Sequence, residues 1–556
     1  MKRRTSSSSQ RQQLSLPSTV LFLAKAGSAF LFVMPARIAQ DTSRTRSTIA
    51  GLPLEKILLL VLFACCGAAR SQTWFPVKTP QFSFGSVALQ LTDGTIMVQQ
   101  SNYSSWWRLT PGKFGSYNTG TWSPMPSMPA GYAPKGFASA VLPDGRVIIE
   151  GGEYNNGIKV DTNLGAIYDP FTNSWTSVSP PAGWTKIGDA PSVVLPDGTF
   201  MLGPSGSTQA ALLDASTLTW TILTTASGYK GKFDKNNEEG WTLLPGFNGG
   251  VLTVDTHPGS LGNGSTNSEI YNASAGAWTS AGSTVVQLWD SRNLCGVTGA
   301  THEIGPAVLR PDGTVFATGA NSCPSTAGHT AVYDSLTGTW APGFDIPGVN
   351  DAADASASIL PNGNVLVETN PGVNNSPSTF YEYAFDGSGW VVIPQPAGLT
   401  PSSTEFGRML VIPTGGVLFL HRTTAQAWVY KASGSYKSAW QPTICPGCYP
   451  SVCFVGLTYT VSGTQFNGLS QGAAYGDDVQ SATNYPLVQI TNNATGHKFF
   501  ARTHGHSTMA VATGSAITST QFDILPTSSG TEFGASTLVV IANGIPSKPV
   551  GITVGQ

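Results

Sequence analysis

Ala138-Ser139-Ala140-Val141-Leu142-Pro143-Asp144-Gly145-Arg146-Val147-Ile148-Ile149 is a β-hairpin written out in sequence. Two apolar runs suited to buried strands flank a turn in which Pro presets φ, Asp satisfies the local backbone and Gly accepts the remaining geometry. After a Gly151-Gly152 break and a polar loop comes a third strand ending Ala166-Ile167-Tyr168-Asp169. A tight turn from Pro170 to Asn173 then leads to a last strand starting at Trp175. Residues 138 to 175 therefore spell a small four-stranded antiparallel sheet.

The same unit recurs along the chain. Its turn returns as Thr92-Asp93-Gly94, Pro196-Asp197-Gly198, Pro311-Asp312-Gly313, Pro361-Asn362-Gly363 and Pro413-Thr414-Gly415, with Pro245 to Gly250 as a looser copy. A tryptophan closes each copy, at Trp122, Trp175, Trp220, Trp278, Trp340, Trp390 and Trp440. Tyr168, Leu213, Tyr271, Tyr333 and Tyr383 precede it at a fixed offset, and Tyr430 does so across a longer turn. A single sheet of this kind cannot bury its faces, so copies must stack, and radial stacking gives a propeller. The expected fold is all-β: a seven-bladed β-propeller whose period of about fifty residues resembles the kelch repeat. A two-sheet sandwich built from similar hairpins would not keep one closing tryptophan per unit.

The chain has 556 residues, room for more than one domain. Only 11% of them are charged, glycine is abundant at 63, and the net charge is -2, a composition that suits an extracellular β protein. No basic stripe interleaves with aromatics, which argues against a nucleic-acid partner. Residues 1–71 read as a leader: Lys56, the apolar run Ile57 to Ala64 and the small residues Gly67-Ala68-Ala69 have the order of a secretory signal, and no transmembrane span is expected in the mature chain. Leu62-Phe63-Ala64-Cys65 loosely resembles a lipobox, so the location is secreted or cell-surface. Cys295 and Cys323 flank the first hairpin of the fifth unit and are the expected disulfide. Among Cys445, Cys448 and Cys453 one pair is expected to bridge and one cysteine to be left over.

The propeller is expected over residues 72–441 and a second β domain over 446–556, after a Pro- and Cys-rich linker. The strand run Ser536 to Ala542 with Asn543-Gly544-Ile545-Pro546-Ser547 resembles the C-terminal immunoglobulin-like domain of galactose oxidase and its kelch-propeller relatives. So does Arg502-Thr503-His504-Gly505-His506-Ser507, which matches a loop that in that family reaches into the propeller channel. The resemblance implies a copper-radical oxidase built on two tyrosines, two histidines and a cysteine. The matching positions here are Glu405-Phe406, Phe137 and Phe84-Gly85, so only His506 or His504 remains of the set. Phenylalanine cannot ligate copper, and copper is not the expected cofactor.

A different set stands at the start of each innermost strand. Lys135, Asp189, Glu238 or Glu239, Glu303 beside His302, Asp354 and Glu405, with Arg408 one pleat further in, fall at equivalent places in successive units. They are expected to meet at the channel mouth in an acidic pocket capped by His506, where like charges raise one another's pKa. The first reading is a non-catalytic binding protein that holds a carbohydrate or other extracellular ligand, with Lys135, Asp189, Glu239, His302 and Arg408 as ligand contacts. A divalent cation would sit among candidates His504, His506 and Glu405. The alternative is a glycan-active enzyme using Glu303, Asp354, Glu405 and His506, and a copper oxidase with altered ligands is third. The acids could also simply solvate the mouth and pair with Lys135 and Arg408. His257, His329, His421 and His497 read as isolated.

Overall fold

In a computed structural model of the chain, the described residues are 73–556, apart from 102, 224–227, 229, 258–263, 292–299, 321–325 and 477–480. The expected leader and the expected Cys295–Cys323 bridge lie outside the described residues.

Each Pro-Asp-Gly turn folds as its chemistry dictates. In the second unit Leu142 and Arg146 pair across the turn, Asp144 Oδ1 accepts the Arg146 N–H at 3.0 Å, and Gly145 sits at φ 86°, where a side chain would be strained. Asp93, Asp197, Asp312 and Asn362 make the same backbone contact two residues on. The hairpins assemble into seven antiparallel blades of four strands, blade two being Ala138–Val141, Val147–Glu150, Gly165–Asp169 and Ser174–Val178. Their first strands pack side by side around one axis. The ring closes where Gly85–Gln90 of blade one meets Gly407–Val411 of blade seven.

The closing tryptophans sit across from their partners in register: Tyr168 faces Trp175, Leu213 faces Trp220, Tyr271 faces Trp278, Tyr333 faces Trp340 and Tyr383 faces Trp390. Several also staple neighbouring blades, because the indole N–H of Trp175, Trp220 and Trp390 donates to the carbonyl of Pro126, Ser179 and Phe344. The seventh position corrects the sequence reading. Trp440 lies in a short 3-10 turn beyond the propeller, and the residue opposite Tyr430 is Trp74. Thr73–Pro76 forms the outer strand of blade seven, and the Trp74 indole donates to Pro394 O of blade six at 2.7 Å. The start of the propeller segment thus locks to its end, which fixes the ring without a covalent bond.

Beyond the propeller the chain forms a second β assembly. Lys498–His504 pairs with Leu487–Asn492 through its first half and with Ile517–Asp523 through its last, joining two sheets around a core that includes Val461, Phe466, Ile490, Phe522 and Val540. Cys445 and Cys448 are bridged and Cys453 is a buried free thiol, the outcome expected of these three cysteines. This assembly sits on the propeller's Pro-Asp-Gly face. Thr503 N donates to Thr92 O, Met509 N to Pro196 O and Gly246 N to Val511 O, while Phe500 covers Gly94.

Candidate functional site

Each innermost strand has its turn at one end, and in blades two to seven a charged residue stands at or just before the other. The second assembly occupies the turn end. At the far end the chain brings together Lys135, Asp189, Glu238, Glu303, Asp354, Glu405 and Arg408 around a cavity of about 80 Å³, joined by Glu153, Arg422 and Tyr475. Six carboxylates thus meet three cationic side chains in one small pocket. Oxygens of Glu238, Glu303 and Asp354, from three successive blades, lie within 4.8 Å of one another.

The backbone is bent to make this possible. Glu238 and Asp354 adopt φ of 51° and 46°, and His302, just before Glu303, adopts 68°. Left-handed geometry in residues with side chains is uncommon and gathers at functional sites. Glu405 comes from a 3-10 turn spanning Thr404–Phe406. Arg408, buried, donates from Nη1 to the carbonyls of Glu405 and Gly407, and its guanidinium lies 3.6 Å from the centre of the Tyr475 ring. Glu153 also meets Lys159 at 2.6 Å. Behind this layer Glu368 is fully enclosed, and burial pushes its carboxyl up to about 8 even with Ser378 and Arg408 nearby.

Tyr475 is the residue that sequence reasoning missed. It belongs to the second assembly and reaches the pocket through the channel. Ala473–Ala474 adds a strand to blade six, pairing with Ala357 and Ser358. Gln471 accepts from Leu243 N, Ser481 donates to Ala88 O and Tyr485 to Gln90 O. Only small residues fit beside the first strands, and a Cβ on Gly240 would press on the Gly476 carbonyl. The signal in the sequence is the run Gly472-Ala473-Ala474-Tyr475-Gly476, an aromatic residue set among the smallest ones.

Four expected site residues are placed elsewhere. His506 does not cap the pocket: its N–H donates to Pro143 O, at the turn end of blade two. Pro143 is eight residues from Lys135 along a near-extended chain, on the order of 20 Å. His506 Nδ1 contacts Thr520 Oγ1 at 2.9 Å, its ring stacks near Tyr485, and burial, with His504 nearby, pulls its pKa down to about 3. His504 pairs with Asp523, which also holds Arg502. The segment carrying both histidines rests on the turns, and residues 471–476 and 481–485 line the channel instead.

Glu239 points away from the pocket: the left-handed φ of 51° at Glu238 turns the chain there, so Glu238 lines the mouth and Glu239 is buried in the interior. There Lys232 Nζ lies 2.6 Å from Glu239, 3.0 Å from Asp255 and 3.6 Å from Glu269. Burial pushes Glu239 up to about 8, opposed by Lys232 and reinforced by Asp255, while Glu269 is pushed to about 7 for the same reasons. Lys232 and Glu239, which precede blade four, thus form a buried ionic network with Asp255 and Glu269. His302 stacks between Trp289 and His257, with ring centres 5.1 and 3.9 Å away. His257 is therefore not isolated. His329, His421 and His497 are held by Asp345, by Ser402 with Thr423, and by Glu532.

Copper does not fit this donor set. The pocket offers carboxylate oxygens and no imidazole or thiolate among its described lining residues, the pattern for a hard cation. No family model and no curated protein matches the sequence. Among solved structures, a fungal alcohol oxidase of the AA5 family, in complex with copper, aligns over 87% of this chain and 100% of its own at 12% identity and TM-score 0.45. A streptogramin B lyase aligns over 65% of this chain and 98% of its own (12% identity, TM-score 0.43), and virginiamycin B lyase from Staphylococcus aureus over 65% and 99% (9%, 0.42).

Proposed function

We propose that the chain is an extracellular, non-catalytic binding protein whose axial pocket holds a hard divalent cation and presents it to an oxygen-bearing ligand such as a carbohydrate. The observation that carries this reading is the convergence of Glu238, Glu303 and Asp354 within 4.8 Å. Calcium takes oxygens at about 2.4 Å, so two ligands across one ion stand about 4.8 Å apart. Asp189 and Glu405 complete an excess of negative charge, while Arg408, clamped by carbonyls and by Tyr475, fixes the floor.

The size of the pocket weighs against the glycan-cleaving alternative. The cavity of about 80 Å³ suits an ion with a few waters, well short of the roughly 300–1,000 Å³ that encloses a small-molecule substrate. Support for export is the signal-like order of residues 56 to 71 and the Cys445–Cys448 bridge, which suits an oxidising compartment.

The test is retention of the purified chain on immobilised neutral and acidic glycans with calcium, with EDTA, and after Glu303→Gln. Calcium-dependent retention lost in the variant supports the reading. Glycan turnover abolished by Glu405→Gln would move the pocket to catalysis, and retention indifferent to both calcium and Glu303 would remove it from the hub.

A further inference from the structure

Between the second assembly and blades one, six and seven lies a cleft of about 980 Å³, on the face opposite the acidic pocket. Its floor is the sheet formed by Lys498–His504, Leu487–Asn492 and Gly534–Ala542. In register, Thr491 stands between Lys498 and Thr537, which makes one polar row across three strands, and Gln489 lies one pleat along on the same face. Gln489 is only 7% exposed, yet it lines the cleft. The side chains of Gln489, Thr491 and Thr537 make no hydrogen bond to any described residue, and Thr491 and Thr537 are half-buried, so the floor presents accessible amide and hydroxyl groups to a ligand. Exposed aromatic rings stand over it: Phe114 is 67% exposed and Phe75 41%.

The charge is one-sided. Lys431 and Lys498 are the charged residues lining the cleft and no carboxylate lines it, in a chain with more acids than bases overall. Neither forms a salt bridge with a described residue, and Lys431 lies over Phe75 at 5.1 Å. Lys113 and Lys548 are exposed and adjacent in sequence to lining residues. The nearby Glu532 is occupied by His497.

We infer that this cleft is a second binding site, for a segment of an acidic polysaccharide. Lysines answer its carboxylates, the Thr491–Thr537 row and Gln489 its hydroxyls, and Phe114 and Phe75 the apolar faces of its rings. An acyl chain would leave the amide and hydroxyl row unsatisfied, which separates a uronate from a fatty acid of equal charge. The volume, at the upper end of the range for enclosed ligands, fits several rings. Both walls are sheet and tight turn, so the site is preformed. The inference does not depend on the axial pocket.

The experiment is calorimetric titration of the full chain in EDTA with oligogalacturonate, alginate oligomers and hyaluronan oligomers, with a neutral galactan oligomer and oleate for comparison. EDTA silences the proposed cation site, so failure here leaves that reading intact. At least one uronate is expected to bind, more weakly as salt rises, and the neutral oligomer not. Lys431→Glu with Lys498→Glu is expected to weaken binding at least tenfold, since each lost charge-assisted contact is worth about a factor of ten. Phe114→Ala, a change at an exposed ring, is expected to weaken it several-fold with an unchanged melting temperature. Absence of binding to all three uronates, binding unaffected by the lysine changes, or oleate binding in their place would overturn the inference.

Discussion

Replacing Glu368 by Gln should make the protein more stable in alkali, and the effect can be sized from the fold. Glu368 ends up fully enclosed against Gly407, at the start of blade seven's first strand, where any Cβ would collide with its carboxylate. Burial lifts its carboxyl from the ordinary 4.5 to about 8, so the folded protein keeps this proton up to about pH 8 while the unfolded chain releases it near 4.5. Glu368 therefore contributes its full stability below about pH 4.5, and that contribution disappears as pH rises through 8. The gap between 4.5 and about 8 corresponds to about 5 kcal/mol. Gln keeps the shape and stays neutral throughout. The assay is the denaturant midpoint of wild type and Glu368→Gln from pH 5 to 9, taken as a difference so that the other buried acids cancel. The expected difference is near zero at pH 5 and grows in favour of Gln to several kcal/mol at pH 9. A flat difference, or a variant weaker than wild type at pH 9, would refute the reasoning.

Trp74→Ala should cost about 2–4 kcal/mol, because it removes a half-buried ring packed on Phe380, Phe419 and Tyr430 and the clasp that closes the propeller; limited proteolysis should then cut first near residue 73, and a wild-type cleavage pattern would count against the clasp. Lys232→Met should destabilise by about 3–5 kcal/mol at neutral pH, since Glu239, Asp255 and Glu269 lose their only counter-charge among the described residues. Its thermal midpoint should recover in acid, where Glu239 and Glu269, pushed up by burial, are neutral, and a pH-independent deficit would show that packing, not charge, is responsible.

The blades were legible because their signals are local. Pro-Asp-Gly fixes a turn by the chemistry of three adjacent residues, and Tyr168 with Trp175 reports a pairing only seven residues apart. The convergence of Asp189, Glu303, Asp354 and Glu405 was also readable, since equivalent places in repeats must meet on the axis of a closed ring. The misplaced residues depend on non-local geometry. Trp74 reaches Tyr430 only because the two ends of the propeller segment meet, and nothing near Trp440 announces that it falls outside the sheet. Glu238 and Glu239 differ by one residue, and a left-handed φ at Glu238 decides which of them faces the pocket. His506 and Tyr475 come from the same assembly, but which loop enters the channel depends on the small residues around Ala473-Ala474, a packing condition that motif matching does not register.

Direct titration of calcium into the full-length chain bears most closely on the hub. One site with a dissociation constant between about 10⁻⁶ and 10⁻³ M is expected, a span that runs from calcium sensors to extracellular calcium modules. Asp354→Asn should weaken it at least tenfold, while magnesium, which demands a stricter octahedron, should compete poorly. No heat with calcium, or binding that Asp354→Asn leaves untouched, would contradict a cation held where three blades place their carboxylates together.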